Sequence, residues 1–287
     1  MKASARLRVS VIVPSFNAEA FLSDAVKSVL NQTWRELELI IVNDGSTDET
    51  MALAEQFGDG DRRVKIVDKP NGGPSSARNA GIAAASGDAV CFLDADDILL
   101  QDKVRRQVAF LERFPGCDLV YSDYYIGDKE LTPIWLECVR PPTVRMDEYL
   151  LYRNRFAPMC PLLRSRLVSA TGGFNEALRA GEDWDYWIRA SQRGQFCYLP
   201  GPVGVYRTHP GQVHHNLELM CSSPRRVAES NFPRGSREWR ILVASRAWAE
   251  VRETSGVRRL MLAPIKLAQS GLIARSPRIF RDVIRWA

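Results

Sequence analysis

This sequence predicts an α/β protein: a mostly parallel central sheet with helices on both faces, followed by a helical extension. Strand-like apolar runs alternate with amphipathic stretches from residue 9 to residue 114, the pattern of right-handed crossovers in a parallel sheet. The run Val90-Cys91-Phe92-Leu93 then ends abruptly in Asp94, Asp96 and Asp97, three carboxylates within four residues. Strands of parallel sheets are buried on both faces, and their C-terminal ends are where such sheets bind ligands. A 45% hydrophobic content excludes a disordered chain. The net charge of +5 is uneven, because Cys221 to Ala287 hold 14 Arg/Lys against 5 Asp/Glu. That contrast sets residues 216–287 apart as a basic helical extension to a domain over residues 1–215.

The first strand is expected over Val9 to Val13, followed by the loop Pro14-Ser15-Phe16-Asn17. A helix with Phe21, Leu22, Ala25, Val26, Val29 and Leu30 on one face comes next. Leu37 to Val42 is the second strand, ending in Asn43-Asp44-Gly45-Ser46-Thr47-Asp48-Glu49. Ser46 and Glu49 have capping-box spacing for a helix through Phe57. Val64 to Val67 is a third, short strand, and Lys69 to Asn79 is a loop opening a helix of small residues. Gln101 to Phe114 is an amphipathic helix with Val104, Val108 and Leu111 facing inward, and Asp118 to Ser122 returns to the sheet. Residues 123–158, with Pro133, Trp135, Pro141, Pro142 and Phe156, read as less regular, proline-rich loops whose aromatic residues suit a core as well as a binding site.

In an extended segment Asp94 and Asp96 share a face, with Ala95 between them leaving room for a ligand. Two convergent carboxylates repel unless a cation sits near them, and hard oxygen ligands select Mg²⁺ or Mn²⁺. Asp97 alone reads as the cap of a helix beginning near Leu100. The first loop carries neither Gly-x-Gly-x-x-Gly nor Gly-Lys-Ser/Thr, which excludes a dinucleotide-binding unit and a phosphate-binding NTPase loop. It also lacks the Gly-rich basic loop of a nucleotidyltransferase. Six cysteines without a Cys-x-x-Cys pair read as reduced packing residues rather than zinc ligands or a disulfide frame.

Four segments, Val11-Ile12-Val13-Pro14-Ser15-Phe16-Asn17, Val42 to Asp48, Asn71 to Gly81 and Leu93 to Asp97, resemble in order and spacing the signatures of the family 2 glycosyltransferases with the GT-A fold. The likeness covers roughly residues 9–210. It implies an inverting transferase that uses a nucleotide-diphospho-sugar, with the Asp-x-Asp cluster binding the metal. It places Pro14, Ser15 and Asn17 in the nucleoside pocket, Asp44 on the base N–H, Arg78 near the diphosphate, and Asp94, Ala95 and Asp96 at the donor. These roles suit the residue types: a carboxylate accepts the imide N–H of uracil or the N1–H and N2–H of guanine, and a guanidinium forks onto phosphate oxygens. Turn formation by Asp44 and a surface ion pair for Arg78 are the alternatives.

Gly172 to Glu176 is a turn, and Gly181-Glu182-Asp183-Trp184 opens a helix with Trp184, Trp187 and Ile188 inward. In the resembled family the aspartate of this Glu-Asp pair is the general base, which assigns that role to Asp183 and leaves Glu182 and Asp185 as lesser candidates. Acids at a helix start also serve capping alone. After a short strand, Val203 to Tyr206, His209 stands where relatives of the resembled family supply an imidazole to the metal, a nitrogen ligand that favours Mn²⁺ over Mg²⁺; a surface loop histidine is the alternative. Metal ligation is thus expected from Asp96, Asp94 and His209.

Together these features lead to the expectation of a metal-dependent transferase moving single sugars from a nucleotide-diphospho-sugar to a glycan or lipid-linked hydroxyl. The donor is most readily a UDP-sugar, with thymine or guanine as other bases. A non-catalytic sugar-nucleotide sensor is the rival, disfavoured because a mere binder does not need Asp183. No nucleic acid is expected as a partner. The chain shows no leader and no run of 18 uncharged apolar residues, so a cytoplasmic protein is expected. Helices are expected at 236–252, 258–269 and 276–286. In the last, Ile279, Phe280, Val283 and Ile284 oppose Arg278, Arg281 and Arg285, which suits peripheral docking on an anionic membrane.

Overall fold

The computed structural model describes residues 6–142, 144–154, 156–212 and 217–244. The strands are β1 (Val9–Ser15), β2 (Leu37–Asn43), β3 (Val64–Asp68), β4 (Ala89–Phe92), β5 (Ile98–Leu99), β6 (Leu119–Gly127), β7 (Pro133–Glu137), β8 (Leu162–Arg164) and β9 (Phe196–Arg207). The helices are α1 (Leu22–Leu30), α2 (Thr50–Gly60), α3 (Pro74–Ala84), α4 (Lys103–Arg113), α5 (Met146–Tyr149), α6 (Ser165–Thr171), α7 (Glu182–Ser191) and α8 (Leu217–Asn231). Residues 237–244 are also helical, and the helices expected beyond them, with the membrane-docking stripe, lie outside the described residues. Among the described residues no helix is long and apolar enough to cross a membrane.

The strands form one sheet in the order β3-β2-β1-β4-β8-β6-β9-β5, with β7 alongside β6. β1, β2, β3 and β4 are parallel, β6 and β9 run the same way, and β5, β7 and β8 are antiparallel insertions. Strict alternation sends Val9, Val11 and Val13 to one face, where they pack with Leu22, Ala25, Val26 and Val29 of α1 and Val104, Val108 and Leu111 of α4. Ile12 and Val42 point to the other face, where α3 lies so close that a Cβ on Gly81 would stand 2.3 Å from Ile12 Cγ2. The small residues of α3 are therefore what allow helix and sheet to meet.

Pro14 sits in the interior strand β1 without costing a ladder bond. On the β4 side Ile12 accepts the Leu93 N–H at 2.9 Å, and β4 ends at Phe92, paired with Ile12. Pro14, two residues further along, presents its missing N–H beyond that end.

Several local expectations change. No capping box forms at α2: Ser46 Oγ instead accepts the Asn17 N–H at 3.0 Å, and Glu49 makes no side-chain cap bond. α4 starts at Lys103 rather than Gln101. Residues 123–137 are not irregular loop, because β6 runs on to Gly127 and pairs with β7 as a hairpin. β9 spans 12 residues, far more than the expected Val203 to Tyr206, because it pairs along the whole of β6. Cys91, Cys117, Cys138, Cys160 and Cys197 are free thiols, and Cys91, Cys117 and Cys160 are buried.

The chain folds into two compact units. Of the described residues, the first unit holds the sheet and takes those within Met1–Pro141, Arg155–Glu176 and Ala190–His209; the second takes those within Pro142–Asn154, Ala177–Arg189 and Pro210–Ala287.

One buried acid anchors the sheet. Glu38 on β2 is 1% exposed and takes Lys65 at 2.8 Å, Arg8 at 3.1 Å, and the hydroxyls of Ser10 at 2.6 Å and Ser86 at 2.9 Å. Burial raises its pKa, but Lys65, Ser10 and Ser86 outweigh burial and hold the carboxyl down at about 2 against an ordinary 4.5. A depressed carboxylate contributes stability above its unfolded pKa and loses it as pH falls toward the folded one. Glu38→Gln is expected to be less stable than the parent by about 2 kcal/mol at pH 7, a value discounted because both cations are half-exposed. Denaturant melts at several pH values should show the gap closing between pH 4.5 and 2.

Candidate functional site

The carboxyl ends of β1, β2 and β4 carry the residues singled out in the sequence. At the end of β2, Asp44 is buried and fully used: Oδ1 accepts Lys69 Nζ at 2.6 Å and the Gly72 N–H at 3.0 Å, and Oδ2 accepts the Gly73 N–H at 2.7 Å. It therefore fixes the loop that opens α3, where Gly73 has φ 86°, a left-handed conformation that favours glycine. Asn17, also at positive φ (48°), ties the first loop to the second: its Oδ1 accepts the Thr47 N–H at 2.8 Å. Ser15 is buried and Pro14 half-buried, whereas Phe16, between Ser15 and Asn17, is 51% exposed. Phe16 is not among the residues expected at the site; an aromatic among polar loop residues at a strand end was the available signal.

The acid cluster is a turn rather than an extended strand end. β4 stops at Phe92, and the Asp97 N–H closes a turn onto the Asp94 carbonyl at 3.1 Å. The acids consequently do not share a face as a strand would require, and each meets a different partner. Asp94 pairs with Arg78 of α3 at 2.7 Å, and that buried guanidinium lies 5.3 Å from the ring of Phe174. Asp96 Oδ2 lies 3.1 Å from His209 Nε2, and both side chains keep partial exposure. Ala95 turns into the apolar core instead of leaving space.

Asp97 does not cap a helix. It is fully buried, and its Oδ1 accepts the Arg207 N–H at 2.9 Å. Burial, then the charges of Asp96 and Asp94, push its carboxyl well above the usual range, opposed by Arg207.

The 172–176 turn is held from α3: Asn79 Oδ1 accepts the Phe174 N–H at 2.6 Å while Asn79 Nδ2 donates to the Phe174 carbonyl at 3.0 Å. A Cβ on Gly173 would stand 2.7 Å from Asn79 Oδ1.

In the second unit, Asp183 lies in the first turn of α7 and is half-buried. Its Oδ2 accepts Asn154 Nδ2 at 2.6 Å and its Oδ1 faces the Trp184 N–H at 2.7 Å. Asp185 is a structural acid: it is 1% exposed, pairs with Arg189 at 2.8 Å and accepts Asn231 Nδ2 at 2.7 Å. Those bonds remove it from the candidates for proton transfer, and Glu182 stays on the partly exposed rim.

Among the described residues no three His, Cys, Asp or Glu side chains converge as a ready cation cage. The structure brings Asp96 and His209 together and gives Asp94 to Arg78. An oxygen and a nitrogen donor in contact, partly exposed and one turn from a second carboxylate, form a donor set that fits Mn²⁺ or Mg²⁺ if diphosphate and water oxygens complete the shell.

A family model for "Glycosyl transferase family 2" matches residues 10–167. The chain belongs to that family. An uncharacterized glycosyltransferase, EpsJ of Bacillus subtilis, is 45% identical over 225 residues, which is 71% of this chain and 62% of that protein. Across other curated relatives the match spans from 26% to 67% of their length. S. aureus TarS 1–349, solved in complex with UDP-GlcNAc, superposes with a TM-score of 0.66 at 19% identity, covering 92% of this chain and 80% of that one. The mannosyltransferase PcManGT from Pyrobaculum calidifontis, solved with GDP-Man and Mn²⁺, gives 0.62 at 16% identity over 99% of this chain and 85% of that one. The expected GT-A fold is thus the one observed.

Substitution should separate the two aspartates of α7. Asp185→Ala strands Arg189 and Asn231 and is expected to lower stability by about 3 kcal/mol, whereas Asp183→Asn keeps the shape of its site and is expected to cost less than about 1 kcal/mol. Thermal melts of both variants check this, and equal losses contradict it.

Proposed function

We propose that this protein transfers a sugar, with inversion, from a nucleotide-diphospho-sugar to an acceptor hydroxyl, using a divalent cation held by Asp96 and His209. The contact between Asp96 and His209, at the carboxyl edge of the sheet, carries the reading. When bound there, Mn²⁺ or Mg²⁺ supplies positive charge to the leaving diphosphate. The chain's own groups do the rest. Arg78, buried and already oriented by Asp94 and Phe174, offers a planar donor fork toward phosphate oxygens. Phe16 offers an exposed ring face on which a base stacks, next to the loop that Asp44 organises.

Asp183 is the proposed general base. The Asn154 amide fixes one of its oxygens, which leaves the carboxylate oriented to take a proton from the acceptor hydroxyl. The attack then proceeds opposite to the departing diphosphate, in one displacement, and inverts the anomeric centre. A UDP-sugar is the favoured donor, since UDP-GlcNAc is the ligand in the TarS complex of the same fold. GDP-Man in the PcManGT complex keeps guanine as the second base to assay. A glycan or lipid-linked acceptor is the proposed partner, with the basic tail on an anionic membrane surface.

Two measurements test the reading. Asp96→Asn replaces a charged oxygen ligand with an amide and is expected to abolish the Mn²⁺ dependence of UDP binding in calorimetry; unchanged affinity removes Asp96 from the metal site. Asp183→Asn is expected to leave UDP binding within about twofold while transfer to an acceptor falls by about 10²–10⁴-fold, the usual worth of a positioned base. Near-parental transfer by that variant would displace Asp183 from the mechanism.

A further inference from the structure

Arg207, the last residue of β9, is 4% exposed and makes more directed contacts than a surface cation needs. Its Nε donates to the Asp96 carbonyl at 2.7 Å, Nη1 to the Lys129 carbonyl at 2.6 Å and Nη2 to Asp24 Oδ2 at 2.8 Å. Its backbone N–H donates to Asp97 Oδ1 at 2.9 Å. The guanidinium carbon also lies 4.9 Å from the centre of the Phe21 ring. Phe21 in turn stacks on the His209 imidazole, with centroids 4.6 Å apart and planes inclined by 30°. One buried cation thus touches the peptide that carries Asp96 and the ring on which His209 rests.

We propose that Arg207 is the positioning residue of the cation site: it sets the distance and orientation of Asp96 and His209. This rests on the reading that those two side chains hold the cation. The two ligands are 113 residues apart in sequence. The direct contact between them cannot serve to hold them once a cation lies between, so the geometry must be kept from outside. Arg207 does so on both sides. Its Nε fixes the Asp94–Asp97 turn, and its π-face fixes Phe21 and, through it, the imidazole. The planar fork is essential because the three acceptors diverge; a lysine ammonium reaches one carbonyl and loses the stacked face. The Arg207 backbone N–H also holds Asp97 Oδ1, at the far end of the same turn.

The test uses the full-length protein and Mn²⁺ as the probe, read by loss of the free-ion paramagnetic resonance signal. UDP binding is measured beside it in Mn²⁺ and in EDTA. Arg207→Lys keeps the charge and loses the fork; Phe21→Leu keeps the fork and loses the platform; Asp24→Asn loosens only the outer arm. Arg207→Lys is expected to weaken Mn²⁺ binding by about 10–100-fold, the range for residues that orient metal ligands, and Phe21→Leu by about tenfold. Asp24→Asn should fall between Phe21→Leu and the parent. UDP binding in EDTA should stay within about twofold in all three, since the contacts that carry the proposal lie at the Asp94–Asp97 turn and not at the Asp44 loop. Parallel loss of EDTA-resistant UDP binding and of Mn²⁺ binding marks a merely structural role and overturns the proposal. So do Arg207→Lys and Phe21→Leu proteins that bind Mn²⁺ like the parent while Asp96→Asn does not. If the parent binds Mn²⁺ no better than Asp96→Asn, the cation site itself is misplaced and the inference falls with it.

Discussion

Three carboxylates in one four-residue turn are the constraint on which the site depends. Asp94, Asp96 and Asp97 would repel one another if left equivalent, and the fold makes each different. Asp94 receives a guanidinium from α3, Asp96 faces an imidazole, and Asp97 is buried against the Arg207 N–H. These counter-groups come from elements far apart in sequence, so the turn forms only where α3 and the end of β9 converge. The small-residue face of α3 brings Arg78 within reach, because Gly81 lets the helix lie against Ile12. The length of β9 does the same for Arg207 and His209: pairing along all of β6 carries the strand to the edge where β4 has already stopped.

The second loop cluster follows the same chemistry with backbone donors in place of side chains. Asp44 could have been a free acceptor for a base, yet its two oxygens collect Lys69, Gly72 and Gly73. A carboxylate that accepts N–H groups from a glycine-rich turn defines that turn's shape, and shape at a strand end is what a planar base or a diphosphate meets first. Asn17 and Ser46 tie this loop to the one after β1 through the Asn17 N–H and Oδ1, so the two loops act as one rim. Residues expected to touch a ligand thus also fix the shape of the two loops.

What was legible in the sequence was set by periodicity. The interior strands β1, β2 and β4 are largely apolar on both faces, so their order and the acids near their tips were readable without coordinates. The geometry of the tips was not. A run that continues apolar through Leu93 looks like strand to Asp97, and only the end of pairing at Phe92 turns the acids into a loop. Asp97 read as a cap because a lone acid before a helix usually is one; burial of its carboxyl depends on Arg207, 110 residues away. The hairpin of β6 and β7 was hidden by Pro133 and by the exposed Ile134, Trp135 and Leu136, which break the inward-outward alternation that marks a half-buried strand. Asp183 and Asp185 illustrate the same limit: two acids in one helix turn are equivalent in sequence, and only Arg189 and Asn231 make one of them structural.

The division of labour within the first unit bears on where specificity resides. In the proposed reading, the groups at its carboxyl edge would address parts shared by nucleotide-diphospho-sugars: a base face for Phe16, phosphate oxygens for Arg78, a cation for Asp96 and His209. None distinguishes one hexose from another, because none is an exposed, uncommitted hydrogen-bonding group of the kind that reads sugar hydroxyls. TarS, solved with UDP-GlcNAc, and PcManGT, solved with GDP-Man, share this fold, and a shared fold leaves ligand choice to the individual site. On that reading the buried Arg78 guanidinium, already paired with Asp94, would face the diphosphate, where charge develops during transfer and reorganisation would be costly. On that reading, selectivity for sugar and acceptor would fall to side chains outside the turn that carries the acids.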